Sequence, residues 1–277
     1  MTADSETPST PRGRSLAQSL ARRIECVPDL GQRAALMREF CLKHESVVVA
    51  ESLQVLLSEA VRGRSRDAWM ALVLALCRRE VPYNRVGEIY RATVEEGYEA
   101  LRLVFIAGER ALRKAEAGDF ARDDLLDGMT LGERKAKART QNKQLLDRLL
   151  FDPDPAVVQI LLRNPRITEA DVLKLASKRP NRPDALVEIV NVERWVIRSN
   201  IRRAIVLNPY APSRLAVMLM PLMAAQELMD AVATTVPETE EALDPLRQRA
   251  EIARLARQLM RAGERPLDAD GRRRLRH

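Results

Sequence analysis

Apolar residues recur three to four positions apart through the first half of this chain. Leu53, Leu56, Leu57 and Ala60 form one stripe, and Trp69, Leu72, Val73 and Leu76 form another; this is the spacing that lines up side chains on one face of a helix. Breaks at Pro28-Asp29, Arg62-Gly63, Val81-Pro82 and Gly97 divide the half into several helices of ordinary length. Past a turn-rich passage, Gly118 to Gly128, the run Thr130-Leu131-Gly132-Glu133 has capping-box spacing and predicts a new helix. Lys135, Arg139 and Lys143 would form one basic stripe on it, opposite Leu145, Leu146, Leu149 and Leu150. Phe151-Asp152-Pro153 would end it.

Beyond this point the starts and stops come faster. Pro155 opens a helix to Arg163, and Asn164 closes it because Pro165 pushes its backbone out of the α region. Thr168 to Asp171 caps the next helix, with Lys174, Lys178 and Arg179 toward its negative end. Pro183-Asp184 opens a third, Ser199 caps a fourth that ends at Asn208-Pro209, and Pro212-Ser213 opens a fifth. The two Asn-Pro pairs lie 44 residues apart. A shift of that size sets Phe151 over Trp195, Val157 over Ile201, Ile160 over Ala204, Leu161 over Ile205, Leu162 over Val206 and Leu175 over Leu219. Helices this short are marginal alone in water, so the copies must bury their stripes against neighbours. Asn-Pro therefore reads as the punctuation of a repeated helical unit.

The wording FDPDPAVVQILLRNPRITEADVLKLASKRP, followed by WVIRSNIRRAIVLNPYAPSRLAVMLMPLM, resembles bacterial HEAT-like and leucine-rich-repeat-variant proteins. The likeness covers residues 129 to 225, continues weakly through Leu228 to Met260, and leaves out the N-terminal half. It implies an all-α fold, an α-solenoid of short stacked helices that binds other macromolecules. Some leucine-rich-repeat-variant proteins carry a cysteine-ligated iron–sulfur cluster, but no cysteine cluster precedes these repeats. The organisation expected is a disordered leader (1–14), an N-terminal helical region (15–118), a linker (119–129), a HEAT-like repeat region (130–262) and a basic C-terminal tail (263–277).

Composition supports helices over sheets: 46% of the 277 residues are apolar and 31% charged, with only 4% aromatic. Cys26, Cys41 and Cys77 are odd in number and far apart, which offers neither a disulfide framework nor a CxxC metal pair and fits a reducing cytoplasm. The N-terminus lacks an apolar signal region, and the longest apolar runs, such as Ala68 to Cys77, fall short of the roughly 18 residues of a membrane span. Charge changes the picture more. Residues 1–130 carry 19 Lys/Arg against 20 Asp/Glu, residues 215–277 carry 10 against 10, and residues 131–214 carry 17 against 9. The net +7 is thus concentrated in the repeats, where a basic field attracts acidic partners.

Candidate chemistry is sparse. His44 and His277 are the only histidines, and no GxGxxG, Walker, HExxH or GxSxG motif occurs. No catalytic residue, cofactor or metal ligand is expected. Asp152-Pro-Asp-Pro supplies too few ligands for a hard cation and reads as a turn into a helix. Phe151 and Trp195 read as wedges between helices, and Met218, Met220 and Met223 as core. If Val157, Ile160, Leu161, Ile201, Ala204 and Ile205 face inward, Arg202 and Arg203 point away. Arg163, Arg166, Arg182, Arg194 and Arg198 fall at helix ends or connections. With Lys135, Arg139 and Lys143, these are the candidate partner-binding residues, since guanidinium forks grip carboxylates or phosphates. The expected function is a non-enzymatic cytoplasmic adaptor for an acidic protein. The alternative is a nucleic-acid-backbone binder, without a base-stacking platform given so few aromatic residues. A HEAT-like DNA-modifying enzyme shares only the architecture.

Overall fold

The computed structural model describes residues 12–106, 111, 113–116, 120 and 123–224. Most of the expected leader, the weaker repeat continuation and the basic tail lie outside the described residues. The chain divides into two compact units between Ile106 and Ala107. Among the described residues every regular element is helical, apart from one isolated antiparallel bridge between Ala111 and Pro212.

In the first unit, α1 (Arg12–Glu25), α2 (Leu30–Lys43), α3 (Ser46–Val61), α4 (Arg66–Cys77), α5 (Tyr83–Glu95) and α6 (Glu99–Ile106) follow one another. Packing alternates along the chain: α1 lies on α3, α2 on α4 and α3 on α5. The sequence explains this order. Helices α3 and α4 are apolar on more than one face, and Leu53, Leu56, Leu57, Trp69, Leu72 and Val73 are all buried between their neighbours. Gly63 (φ +82°) and Gly97 (φ +66°) take left-handed turns at the ends of α3 and α5, a conformation costly for a residue with a Cβ. Arg85 closes the α2 end. Its guanidinium donates to Cys41 O at 2.7 Å, to His44 O and to Ser46 Oγ, replacing the intrahelical donors those carbonyls lack. Burial pushes the Cys41 thiol up to about 12 despite Arg85's charge, so it is an inert core filler.

The second unit holds α7 (Asp124–Asp127), α8 (Leu131–Lys137), α9 (Lys143–Leu149), α10 (Pro155–Leu162), α11 (Glu169–Ser177), α12 (Pro183–Asn191), α13 (Glu193–Val196), α14 (Ser199–Val206) and α15 (Ser213–Leu219). A 3-10 turn, Met220–Leu222, ends it. The Thr130 capping box forms with Glu133, and a second forms between Thr168 and Asp171. Helix α10, shifted by 44 residues, falls on α14 end for end. Val157, Leu161 and Leu162 are buried in one copy and Ile201, Ile205 and Val206 in the other. Met218, Met220 and Met223 are core.

Four expectations need correction. The helix read as continuous from Thr130 to Phe151 is broken at residues 138–142, where Asn142 caps α9 by accepting from Leu145 N. Lys135, Arg139 and Lys143 therefore do not share one helical stripe. Ile160 and Ala204 are half-exposed, because helices of eight residues bury a narrow stripe. Ser199 begins α14 without capping it; Arg198 stands at the cap and makes no side-chain capping bond. Phe151 is 40% exposed, with Lys178 Nζ 4.0 Å from its ring centroid, whereas Trp195 is buried.

Candidate partner-binding surface

Asn164 and Asn208 organise the second unit. Asn164 Nδ2 donates to Ala138 O (2.9 Å) and Thr140 O (2.8 Å), the carbonyls left open at the end of α8, while its Oδ1 accepts from Arg166 N (2.9 Å). Asn208 repeats the arrangement on α11, donating to Ala176 O (2.7 Å) and Lys178 O (3.1 Å) and accepting from Tyr210 N (3.0 Å). Each asparagine is buried with both its amide nitrogen and its oxygen bonded, tying the end of α10 to the end of α8 in one case and the end of α14 to the end of α11 in the other. Trp195 adds a further tie, its Nε1 donating to Leu162 O at 2.8 Å.

This staple gathers charge. Ala138 and Thr140 flank Arg139, and Arg163 and Arg166 flank Asn164, so fixing the two turns together brings three exposed arginines to one edge. Arg166 Nη2 reaches Gln141 Oε1 across the junction at 3.3 Å, and Arg139 Nη1 donates to Lys135 O at 2.8 Å. Arg163 makes no ion pair or hydrogen bond through its guanidinium among the described residues. A guanidinium has five N–H donors, so all three keep donors for a ligand. One exposed apolar side chain follows an element tied to this edge. Ile197, 52% exposed, follows α13, which is bound to the Leu162–Ile167 turn through Trp195 and Arg194.

The remaining candidates are placed differently. Arg194 is half-buried and donates to Asn164 O (3.0 Å) and Ile167 O (2.6 Å); burial lowers its proton affinity, and it supports the staple from behind. Arg202 was expected to point away from the core. It instead turns its guanidinium onto Val196 O (2.8 Å) and Leu222 O (3.4 Å), because those carbonyls lie at helix ends and lack intrahelical donors. Arg203, its half-exposed neighbour, lies on another face of α14. Lys143 is bound to Asp147 (2.6 Å) and Asp171 (2.7 Å). Burial works against its charge, but those two carboxylates outweigh it and hold its pKa up. In Asp171 burial pushes the carboxyl up, yet Lys143 and the Thr168 amide and hydroxyl pull it further down, so it lies below the usual carboxylate range. Arg198 pairs with Glu169 at 3.6 Å.

Arg182 lies elsewhere in the unit, in the wall of a cavity of about 630 Å³ between the starts of α10 and α12 and the segment carrying Arg113, Lys114 and Phe120. Arg113 N donates to Pro209 O at 3.0 Å. The Arg182 guanidinium stacks 4.0 Å over the Phe120 ring. Asp152, whose side chain is 0% exposed, reaches the same cavity. Its Oδ1 accepts from Asp154 N (2.9 Å), and its Oδ2 is 3.2 Å from Arg134 Nε. Burial raises its pKa more than the Asp154 amide and Arg134 lower it. The cavity carried no sequence signal, since its walls come from turns far apart in the chain.

Among the described residues no group of three or more His, Cys, Asp or Glu side chains is placed to hold a metal, and no helix is long and apolar enough to cross a membrane. No protein-family model, curated protein or solved structure matches this chain.

Proposed function

We propose that the second unit is a non-enzymatic α-solenoid binding module, and that the edge formed by Arg139, Arg163 and Arg166 holds an acidic segment of another protein. The observation that supports this most is the buried Asn164 side chain, which ties the turn carrying exposed Arg139 to the turn carrying exposed Arg163 and Arg166. Acidic groups nearby are already engaged, Glu169 with Arg198 and Asp171 with Lys143. The field at this edge is therefore positive. Exposed Ile197 suits a segment that carries apolar side chains among its acids, which a phosphate backbone does not. Half-buried Arg194 and Arg202 hold the surface in shape through their bonds to backbone carbonyls.

Fluorescence anisotropy tests the reading. The probes are a labelled peptide of alternating Glu and Leu-containing blocks and a labelled DNA duplex, each titrated with the full chain. The peptide is expected to bind more tightly, and reversing charge at Arg139, Arg163 and Arg166 to Glu is expected to weaken it at least about tenfold. Duplex binding that dominates, with a log–log salt slope near −0.9 per phosphate contacted, would replace this reading with nucleic-acid backbone recognition.

A further inference from the structure

We propose that the cavity between the starts of α10 and α12 binds a small organic anion, one with an apolar body and a phosphate or carboxylate head. Its volume of about 630 Å³ lies within the range of roughly 300 to 1,000 Å³ typical of small-molecule sites. Pro153, Pro155, Pro183 and Ala185 give it an apolar floor.

The charged groups in its wall are not balanced. Lys114 and Arg182 face two carboxylates. Of these, Asp152 is held by Arg134 at 3.2 Å and also feels the charge of Arg182, and Asp184 is an exposed first-turn residue of α12. Positive charge therefore remains for a ligand. Arg182 is the clearest sign of one. Its Nε is shielded from solvent and has no hydrogen-bond partner, and no ion pair engages its guanidinium among the described residues. Phe120 satisfies only one face of the group. Leaving a buried N–H without an acceptor is costly, and an anion in the cavity would supply that acceptor. The backbone points the same way. Arg182 occupies the N-cap position of α12 but makes no side-chain capping bond, so the first-turn amides of this nine-residue helix lack a capping acceptor from its own cap residue. Lys178, close to the Phe120 ring at 6.0 Å, extends the positive field; burial, and then the Arg182 charge, lower its pKa.

Isothermal titration calorimetry on the full chain tests this with 1-naphthyl phosphate, 1-naphthoate and the neutral 1-naphthol as probes. One of the two anions is expected to bind at a single saturable site below about 1 mM, and at least about tenfold more tightly than the neutral compound. Whichever anion binds more tightly identifies the head group. Arg182→Gln is expected to weaken that anion about tenfold and Lys114→Gln about threefold, since each removes one charged donor. Charge reversal at Arg139, Arg163 and Arg166 is expected to leave it unchanged, which separates this site from the partner-binding edge. The proposal is overturned if neither anion saturates, if 1-naphthol binds as well as both, or if Arg182→Gln binds at wild-type strength. Should Arg182→Gln lose its helical circular dichroism, Lys114→Gln decides alone, and wild-type affinity in that exposed variant overturns the proposal.

Discussion

Replacing Asn164 by Ala removes three hydrogen bonds at once: those from Nδ2 to Ala138 O and Thr140 O, and the one from Arg166 N to Oδ1. All three bonds are formed by one buried side chain. An unsatisfied buried polar group costs about 1 to 3 kcal/mol, and water entering the space left by the amide recovers part of it, so the expected net loss is about 2 to 4 kcal/mol. Urea denaturation followed by far-UV circular dichroism measures it. With a slope of about 1 to 3 kcal/mol per molar urea, the midpoint of the second unit's transition falls by roughly 1 to 3 M, while the first unit's transition stays in place. Asn208→Ala is expected to lose a similar amount because its three bonds are equivalent. Asn164→Asp provides an internal check: it keeps the acceptor but sets a carboxylate against two carbonyl oxygens, and it is expected to be no milder than Ala. Shifts of less than about 0.5 kcal/mol in both alanine variants would refute the staple, since ordinary surface substitutions change stability by that much.

Leu161→Ala and Ile205→Ala are expected to cost about 2 to 5 kcal/mol by the same assay, while half-exposed Ile160→Ala costs less than either; equal losses at Ile160 and Leu161 would place the helix register elsewhere. Arg202→Gln is expected to lower stability by about 1 kcal/mol by freeing the Val196 and Leu222 carbonyls, and Arg163→Gln to leave it unchanged; the reverse order would exchange their roles. Asp171→Asn tests pH linkage. Because the folded carboxyl lies below its usual range, its contribution is complete above the unfolded value of roughly 4 and is lost as pH falls through the lowered folded value. The stability gap to wild type, about 1 to 2 kcal/mol, is expected to hold from neutral pH to about pH 5 and to close in more acidic buffer. A gap that widens on acidification would contradict the direction of the shift.

The sequence disclosed the helices and their repeat because both are written in local terms. Pro155, Pro183 and the Thr130 and Thr168 boxes act on their own helices, and all four open elements where their positions imply. Asn164-Pro165 was legible as a stop, but its larger task was not, since its carbonyl partners lie more than twenty residues back, beyond a helix pair whose packing decides the meeting. The same distance explains Arg202. Periodicity put it opposite Ile201 and Ile205, yet a long side chain can fold back onto helix-end carbonyls that no pattern marks. The candidate edge was half legible. Arg163 and Arg166 were visible as basic residues at a helix end and Arg139 as part of a mid-helix stripe, and only the folded chain ties their turns together. Lys143 was lost from the stripe because Asn142 caps a separate helix.

Affinity capture from native lysate bears most directly on the proposed function, using the full chain and its Arg139→Glu, Arg163→Glu, Arg166→Glu variant, each with and without nuclease. The account predicts one acidic protein retained by the wild-type chain, resistant to nuclease and absent from the variant, while both chains give the same circular dichroism spectrum. Retention of that protein by the folded variant at wild-type strength, or capture that disappears with nuclease, would contradict it.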